Sequence, residues 1–354
     1  MERVDLIKRL NICKPALATK DLIPIFTHFC FTEENTVFAY NDIVGVEMDC
    51  DVDFIGAVDG SSLLGQLENS VDKEVMFKES KDGIAVSCGK SKYKWNVLGA
   101  DNFVFEVPDT KKAEKLEVND DFFKGLDLCA KTSSSDESQP TLMGVTVELD
   151  VDSYLYSSDM MTISRYRILE DQNFKKSSSY ILPTDFCAAV VNMKKELTEL
   201  PEIFITDKFI VAYFGDNLVL GRLIIPDDDL DFAEMISNSM DETDLDHMVK
   251  VPGAIERALK RVINGIRSDN EPKAFMTVKK KSIHFDLDRH NVTSADPVPY
   301  KGGHPEIQVA VNPNLIERGV SLGTEFCVNE SCVVLRDGDT FTHLIANVKD
   351  SFTE

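Results

Sequence analysis

The sequence is poor in basic residues, and this shortage is the first constraint on its function. Its 354 residues carry 38 lysines and arginines against 61 aspartates and glutamates, which gives a formal net charge of −23. Affinity for nucleic acid comes largely from basic side chains that neutralise phosphates. The total charge therefore argues against DNA binding over most of the surface, although the distribution of charge matters more than its sum.

Catalytic and metal-binding motifs are also missing. The six histidines show neither HxH nor HExxH spacing, and no GxSxG, Walker or GxGxxG motif occurs. The eight cysteines are scattered without a CxxC pair, which is typical of reduced, mostly buried thiols in a cytoplasmic protein. We expect a protein that is not an enzyme and that needs no cofactor or metal.

Long hydrophobic runs are absent as well. No apolar stretch approaches the ~18 residues of a membrane span. The first residues, MERVDLIKRL, contain acids and lack the small-residue cleavage site of a secretory signal. With 43% hydrophobic and 28% charged residues, the composition is that of an ordinary globular protein.

One acidic run leaves two other functions open. Asp227, Asp228, Asp229 and Asp231 lie close together in sequence and suggest a metal-dependent hydrolase. Metal catalysis needs ligands that converge from several elements, so we favour a solvated connection between domains. A hydrolase that uses this run is one alternative, and a structural protein of repeated β-domains without a role on DNA is the other.

What the sequence does contain is a repeated unit of one helix followed by a meander of strands. The segment Gln139–Leu169 predicts three strands, and amphipathic helical patterns flank it at Asp120–Lys131 and Pro183–Leu197. Candidate helices begin near residues 3, 59, 119, 182, 251 and 311. This spacing of about 60 residues indicates internal duplication.

Six such units give three tandem domains. The predicted boundaries are 1–112, 113–243 and 244–354. Each domain would pack two helices on antiparallel sheets, which places the chain in the α+β class.

Four short segments carry a resemblance to a known family. Leu22-Ile23-Pro24-Ile25 is similar to the Leu-Pro-Ile-Leu that begins its first domain, and Tyr180-Ile181-Leu182-Pro183 to the Val-Ile-Val-Pro before a helix of its middle domain. Ser158-Asp159-Met160-Met161-Thr162-Ile163 stands where the family has Thr-Asp-Gly-His-Arg-Leu, and Leu230-Asp231-Phe232 where it has Pro-Asp-Tyr. The chain resembles the bacterial and phage replicative sliding clamp, the β processivity subunit of the replicative DNA polymerase. It would be a divergent member, because the Gly-His-Arg corner is lost.

The resemblance implies a role in DNA replication. Two chains would join head to tail into a pseudo-sixfold ring that encircles double-stranded DNA without reading its sequence. The other expected partners are the DNA polymerase, a clamp loader and further clamp-binding peptides. An acidic exterior would disfavour DNA everywhere except in the hole. The expected location is the cytoplasm of a bacterium or of an infected host cell.

Basic residues on the predicted helices are the candidates for the lining of such a ring. Val251–Arg267 is the most basic helix, with four bases against the single acid Glu256, whereas Asp59–Asn69 carries no base. A solvated helix face is the alternative explanation for each basic residue. The residues expected to face DNA are Lys8, Arg9, Lys14, Lys124, Lys131, Lys194, Lys195, Arg257, Lys260, Arg261 and Arg267.

The family binds its partners in an apolar cleft between the middle and last domains. Flexible methionines in such a cleft suit short peptides from several partners. Core packing explains Ile163 and Leu344 equally well, whereas Met160-Met161 beside a polar corner is harder to explain as core. Carried over residue by residue, the cleft consists of Ser158, Met161, Ile163, Phe232, Met235, Leu344 and Ala346.

Overall fold

The chain folds into two compact units, the first formed by residues 1–130 and 180–225 and the second by residues 131–179 and 226–354. In the computed structural model, the residues described are 1–20, 23–80, 83–98, 106–150, 152–168, 177–226, 230–240, 242–266, 272–287 and 297–348. The two units divide the predicted middle domain between them. The division into three domains therefore stays a prediction.

The helices follow the predicted spacing. Within the described ranges they are α1 (Arg3–Cys13), α2 (Gly60–Glu68), α3 (Asp120–Ala130), α4 (Thr184–Leu197), α5 (Phe232–Ser239), α6 (Glu242–Asp246), α7 (Ile255–Ile266) and α8 (Pro313–Val320), with short 3₁₀ turns at Lys14–Ala16, Pro24–Thr27 and Pro140–Leu142. Helices α1 to α4, α7 and α8 begin close to the six predicted starts. The largest difference is at α7, which begins at Ile255 and not near residue 251.

The sequence analysis does not predict helices α5 and α6. Helix α5 forms because Asp231 caps it, with the backbone N–H of Glu234 donating to the Asp231 carboxylate over 2.8 Å. Phe232 and Ile236, four residues apart, lie on one face and are both buried. The solvated connection favoured for the acidic run before α5 stays a prediction, because Asp227, Asp228 and Asp229 lie outside the described residues.

The strands are short and antiparallel. In chain order the first twelve are β1 (His28–Phe31), β2 (Thr36–Tyr40), β3 (Val44–Asp49), β4 (Gly56–Asp59), β5 (Val75–Ser80), β6 (Gly83–Cys88), β7 (Ser91–Trp95), β8 (Glu114–Leu116), β9 (Gly144–Leu149), β10 (Ser153–Ser158), β11 (Thr162–Ile168) and β12 (Ser178–Pro183). The remainder are β13 (Glu202–Ile205), β14 (Phe209–Phe214), β15 (Asn217–Arg222), β16 (Val249–Lys250), β17 (Ala274–Lys279), β18 (Ser282–Asp286), β19 (Val298–Pro299), β20 (Ile307–Val311), β21 (Glu325–Val328), β22 (Cys332–Asp337) and β23 (Phe341–Ala346). The predicted α+β class with antiparallel sheets is confirmed.

The first unit is built on an eight-stranded sheet in the order β4-β1-β2-β3-β15-β14-β13-β8. Its central junction pairs β3 with β15, where Val46 lies opposite Val219. Helix α4 packs on β15 so closely that a Cβ added at Gly221 would lie 2.8 Å from the Phe186 ring. A separate sheet of this unit has the order β5-β6-β7.

The second unit repeats this construction. Its larger sheet contains the order β9-β10-β11-β23-β22-β21-β16, and its smaller sheet the order β19-β18-β17-β20. The junction of the larger sheet pairs β11 with β23, and Ile163 lies opposite Leu344. Helices α7 and α8 supply Leu259, Val262 and Ile316 to the main core, all nearly inaccessible to solvent. Each such side chain contributes about 1.5–3 kcal/mol by its burial.

Candidate functional site

The basic residues of α7 form an exposed stripe opposite the core. Ile255, Leu259 and Val262 face inward and are buried, whereas Arg257, Lys260 and Arg261 are exposed. The spacing of three and four residues aligns these three bases on one side of the helix. Arg267, the fourth predicted base, lies outside the described residues.

The basic residues of the first unit are placed differently. Lys194 of α4 forms an ion pair of 2.9 Å with Asp120, and Lys195 one of 3.2 Å with Asp127, so both lysines tie α4 to α3. Lys8 of α1 lies 3.7 Å from Glu196 of α4.

The remaining predicted DNA-facing residues have different surroundings. The Arg9 guanidinium donates to the backbone carbonyl of Asp49. Lys14, Lys124 and Lys131 have exposed side chains. The predicted bases that the structure describes therefore lie on or next to helices, and in the first unit carboxylates pair with three of them.

The corner between β10 and β11 is a tight turn organised by one carboxylate. Asp159 Oδ1 accepts from the backbone N–H of Thr162 at 2.8 Å and of Met161 at 3.2 Å. Ser158 Oγ donates to the Thr162 carbonyl over 2.8 Å. Met160 has φ +71°, a left-handed conformation that a glycine adopts at lower cost. The Thr-Asp-Gly-His-Arg-Leu motif that this segment resembles has Gly at the position of Met160, and a positive φ is a conformation that glycine favours.

Helix α8 braces this corner through Arg318, which the sequence analysis did not single out. The Arg318 Nη2 atom lies 2.6 Å from Asp159 Oδ2 and 2.9 Å from Thr162 Oγ1. Both members of the ion pair are partly withdrawn from solvent, which makes the pair stronger than one fully exposed to water. A lone arginine on an amphipathic helix gave no sequence signal for a partner 159 residues away.

An apolar cluster lies beside this corner, where the sequence predicts the cleft. Its centre is the Tyr156 ring stacked on Phe232, with centroids 5.6 Å apart and an interplanar angle of 12°; both rings are buried. Leu344 and Ile236 are buried in the same cluster, and Ile163 packs against it. The backbone N–H of Ala346 donates to the carbonyl of Met161 over 2.9 Å.

The structure thus brings together the residues predicted for the cleft. Ile163, Phe232 and Leu344 share one cluster, Ala346 contacts Met161 through the backbone, and Ser158 holds the corner. Met161 and Met235 are exposed to 41% and 40%, and Met160 to 65%. The sequence analysis missed Tyr156, which alternation in β10 would have placed on the same sheet face as Ser158.

A buried polar chain runs behind the corner. Thr132 Oγ1 lies 2.6 Å from Ser157 Oγ and 2.7 Å from Ser164 Oγ, and Ser164 Oγ lies 2.8 Å from His343 Nδ1. Burial, with help from the positive charge of Arg318, lowers the pKa of His343 to about 3. His343 is therefore neutral at physiological pH, and its Nε2 atom has no hydrogen-bond partner in the described part of the chain.

Solved structures with the same fold include DNA polymerase III β subunits. The DNA polymerase III β subunit of Thermotoga maritima matches with a TM-score of 0.77 at 18% identity, over 99% of this chain and 99% of that chain. The Bartonella birtlesii sliding clamp bound to griselimycin matches at 0.75 and 14% identity, over 99% and 98% of the two chains. This chain has the sliding-clamp fold. The Helicobacter pylori β clamp bound to a DNA ligase peptide also matches, at 0.70 and 18% identity over 99% of each chain.

At the level of sequence alone, neither family models nor curated proteins give a match. The resemblance seen in four short segments therefore holds for the fold across the whole length, at low sequence identity.

The described part of the acidic run has a structural role. Asp231, the described member of the acidic run, caps α5. Within the described ranges, no group of three or more His, Cys, Asp or Glu side chains is arranged to hold a metal ion. None of the helices in those ranges has the length and hydropathy that a membrane span requires.

Proposed function

We propose that this chain is a replicative sliding clamp, a non-enzymatic processivity factor that encircles duplex DNA and tethers the DNA polymerase. The observation that carries the proposal is the match to clamp structures over the full length of the chain. Enclosure replaces affinity in such a protein, so weak phosphate contacts are sufficient and the strongly acidic surface is no obstacle.

The order of the strands supports closure of the ring by a second copy. Each of the six helices that begin a repeat is followed by three strands. In each of the two larger sheets, the third strand after one helix pairs with the third strand after another helix. These junctions are β3 with β15 and β11 with β23. The remaining third strands are β7 and β19, and in the described residues both are edge strands. By the same rule, β7 of one copy would pair with β19 of the other.

This pairing would complete a third sheet with the same plan as the other two. Strands β20-β17-β18-β19 match the half-sheet β4-β1-β2-β3, and β7-β6-β5 match β15-β14-β13. The end of this half-sheet also agrees. In the first sheet, β8 precedes α3 and pairs with β13. Correspondingly, Glu2 precedes α1 and forms an isolated bridge with Glu74, next to β5. A heterologous contact that uses both ends of the chain closes two copies into a ring.

The α7 stripe is the surface that we assign to the DNA backbone. Arg257, Lys260 and Arg261 are exposed on one face, and bases placed this way contact phosphates without reading sequence. The cleft of the second unit is assigned to short peptides of the polymerase, the clamp loader and other partners. Griselimycin and a DNA ligase peptide are bound by two of the clamps with this fold.

The test combines solution mass with retention on DNA. Multi-angle light scattering should give a dimer, or a monomer that dimerises when loaded. A clamp loaded on nicked circular DNA should stay bound through a high-salt wash and dissociate once the circle is cut. Equal retention on circular and linear DNA, or equal loss from both, would contradict enclosure.

A further inference from the structure

The apolar cleft of the second unit lies in strongly acidic surroundings. Residues 226–246 contain nine acids and no base. Among the described acids of this segment, Asp231 begins α5, Glu234 is exposed on its first turn, and Asp244 and Asp246 belong to α6. Helix α5 also carries the exposed Met235. The apolar surface and the carboxylates therefore alternate on one short helix.

A second observation indicates that two carboxylates, those of Glu148 and Asp231, lie close to the cleft itself. Glu148 lies on β9 opposite Tyr154 of β10, and it is only partly exposed. Burial, and then the charge of Asp231, raise the pKa of the Glu148 carboxyl. Burial and the charges of Glu148 and Asp231 also raise the pKa of Tyr156, whose ring lies in the apolar cluster. The two carboxylates therefore repel each other beside this cluster.

Arg165 lies over the Tyr154 ring, with its guanidinium carbon 5.4 Å from the centroid. Its charge lowers the pKa of Tyr156 and so opposes the effect of Glu148. Arg167 and Arg318 are already paired with carboxylates. The acids of this region thus outnumber the one cation that acts against them.

We propose that the cleft selects peptide segments in which apolar anchor residues are flanked by lysine or arginine. The apolar residues would contact the exposed Met161 and Met235 above the buried rings, and the basic flanks would neutralise Glu148, Asp231 and Glu234. This inference rests on the proposed function, because it specifies the partner of the same cleft. Peptides with acidic flanks would meet like charge next to a surface of low dielectric, where repulsion is strongest.

The experiment measures fluorescence anisotropy of labelled peptides with the full-length protein. Three synthetic peptides share a Leu-Phe core and differ only in two flanking pairs, which are Lys, Ser or Glu. The Lys-flanked peptide should bind about tenfold more tightly than the Ser-flanked one, and the Glu-flanked one most weakly. The differences should shrink as salt screens the charges.

A variant that lacks two of the carboxylates tests whether the preference for Lys-flanked peptides depends on the cleft. In E148Q/E234Q the three peptides should bind with nearly equal affinity, whereas the control E33Q/E34Q, which neutralises two exposed acids of the first unit, should keep the order. Circular dichroism confirms that each variant is folded. Binding of the Glu-flanked peptide as tightly as the Lys-flanked one, or no binding of any of the three, would overturn the inference.

The outcome is separable from that of the clamp proposal. Retention on circular DNA without a Lys preference would refute the charge rule and leave the clamp intact. A Lys preference that disappears in E148Q/E234Q, in a protein that fails the circle test, would support the cleft and refute the clamp.

Discussion

The two units share one construction but distribute their polar groups in opposite ways. In the first unit Lys194 and Lys195 are paired with the aspartates of α3. In the second unit the bases of α7 are exposed, while a histidine is fully buried. The number of basic residues on a helix is therefore not enough to identify a DNA interface, because a neighbouring helix can supply carboxylates that pair with them.

The largest expected effect concerns the buried histidine of the second unit. The folded pKa of His343, about 3, lies below the unfolded value of about 6.5. Its stabilising contribution is therefore complete above pH 6.5 and is lost as the pH falls toward 3. The slope is about 1.4 kcal/mol per pH unit. The free energy of unfolding, measured by chemical denaturation, should fall between about pH 7 and about pH 5 in the wild type. In H343Q this fall should be absent.

The matched control for this prediction is H28Q, which removes a partly exposed histidine of the first unit. Its pH dependence should follow the wild type. Parallel profiles for the wild type and H343Q would contradict the assignment of acid sensitivity to the second unit.

A smaller effect is expected at the α7 stripe. The variant R257E/K260E/R261E should lower the half-life on circular DNA by about tenfold or more, because three phosphate contacts are lost and replaced by repulsion. Stopped-flow or single-molecule dissociation measures this rate. The control K111E/K112E/K208E makes the same change in net charge on exposed residues of the first unit. Equal effects of the two triple variants would show that total charge, and not α7, controls retention.

The smallest expected effect comes from removing the compensation in the first unit. In D120N/D127N the lysines Lys194 and Lys195 are released, and affinity for DNA should rise about two- to threefold as the salt dependence steepens. Stability should fall by no more than about 1 kcal/mol, because pairs with exposed partners contribute little. The control D207N/D216N neutralises two turn residues of the same unit. An unchanged salt dependence in D120N/D127N would contradict the compensation by α3.

The sequence predicted the helices well, because each has its own local signal. The amphipathic pattern of α4 and α7 gave their bounds to within a few residues, and Pro313 marked the start of α8. It failed at α5, because the acids that surround Phe232 and Ile236 masked a pair of buried residues four apart. The residues predicted for the cleft came from the family resemblance and not from a local pattern. The structure groups most of them around Tyr156 and Phe232.

The repeat of helix and strands, the acidic balance and the two methionines of the corner can all be recognised in the sequence, because they are properties of local segments. Which charges are compensated, and what holds the corner, depend on the folded chain. Arg318 meets Asp159 across 159 residues, and Ser164 meets His343 across 179. Such contacts depend on which strands become neighbours in a sheet. Pairing between distant strands produces no periodic pattern in the sequence of either strand.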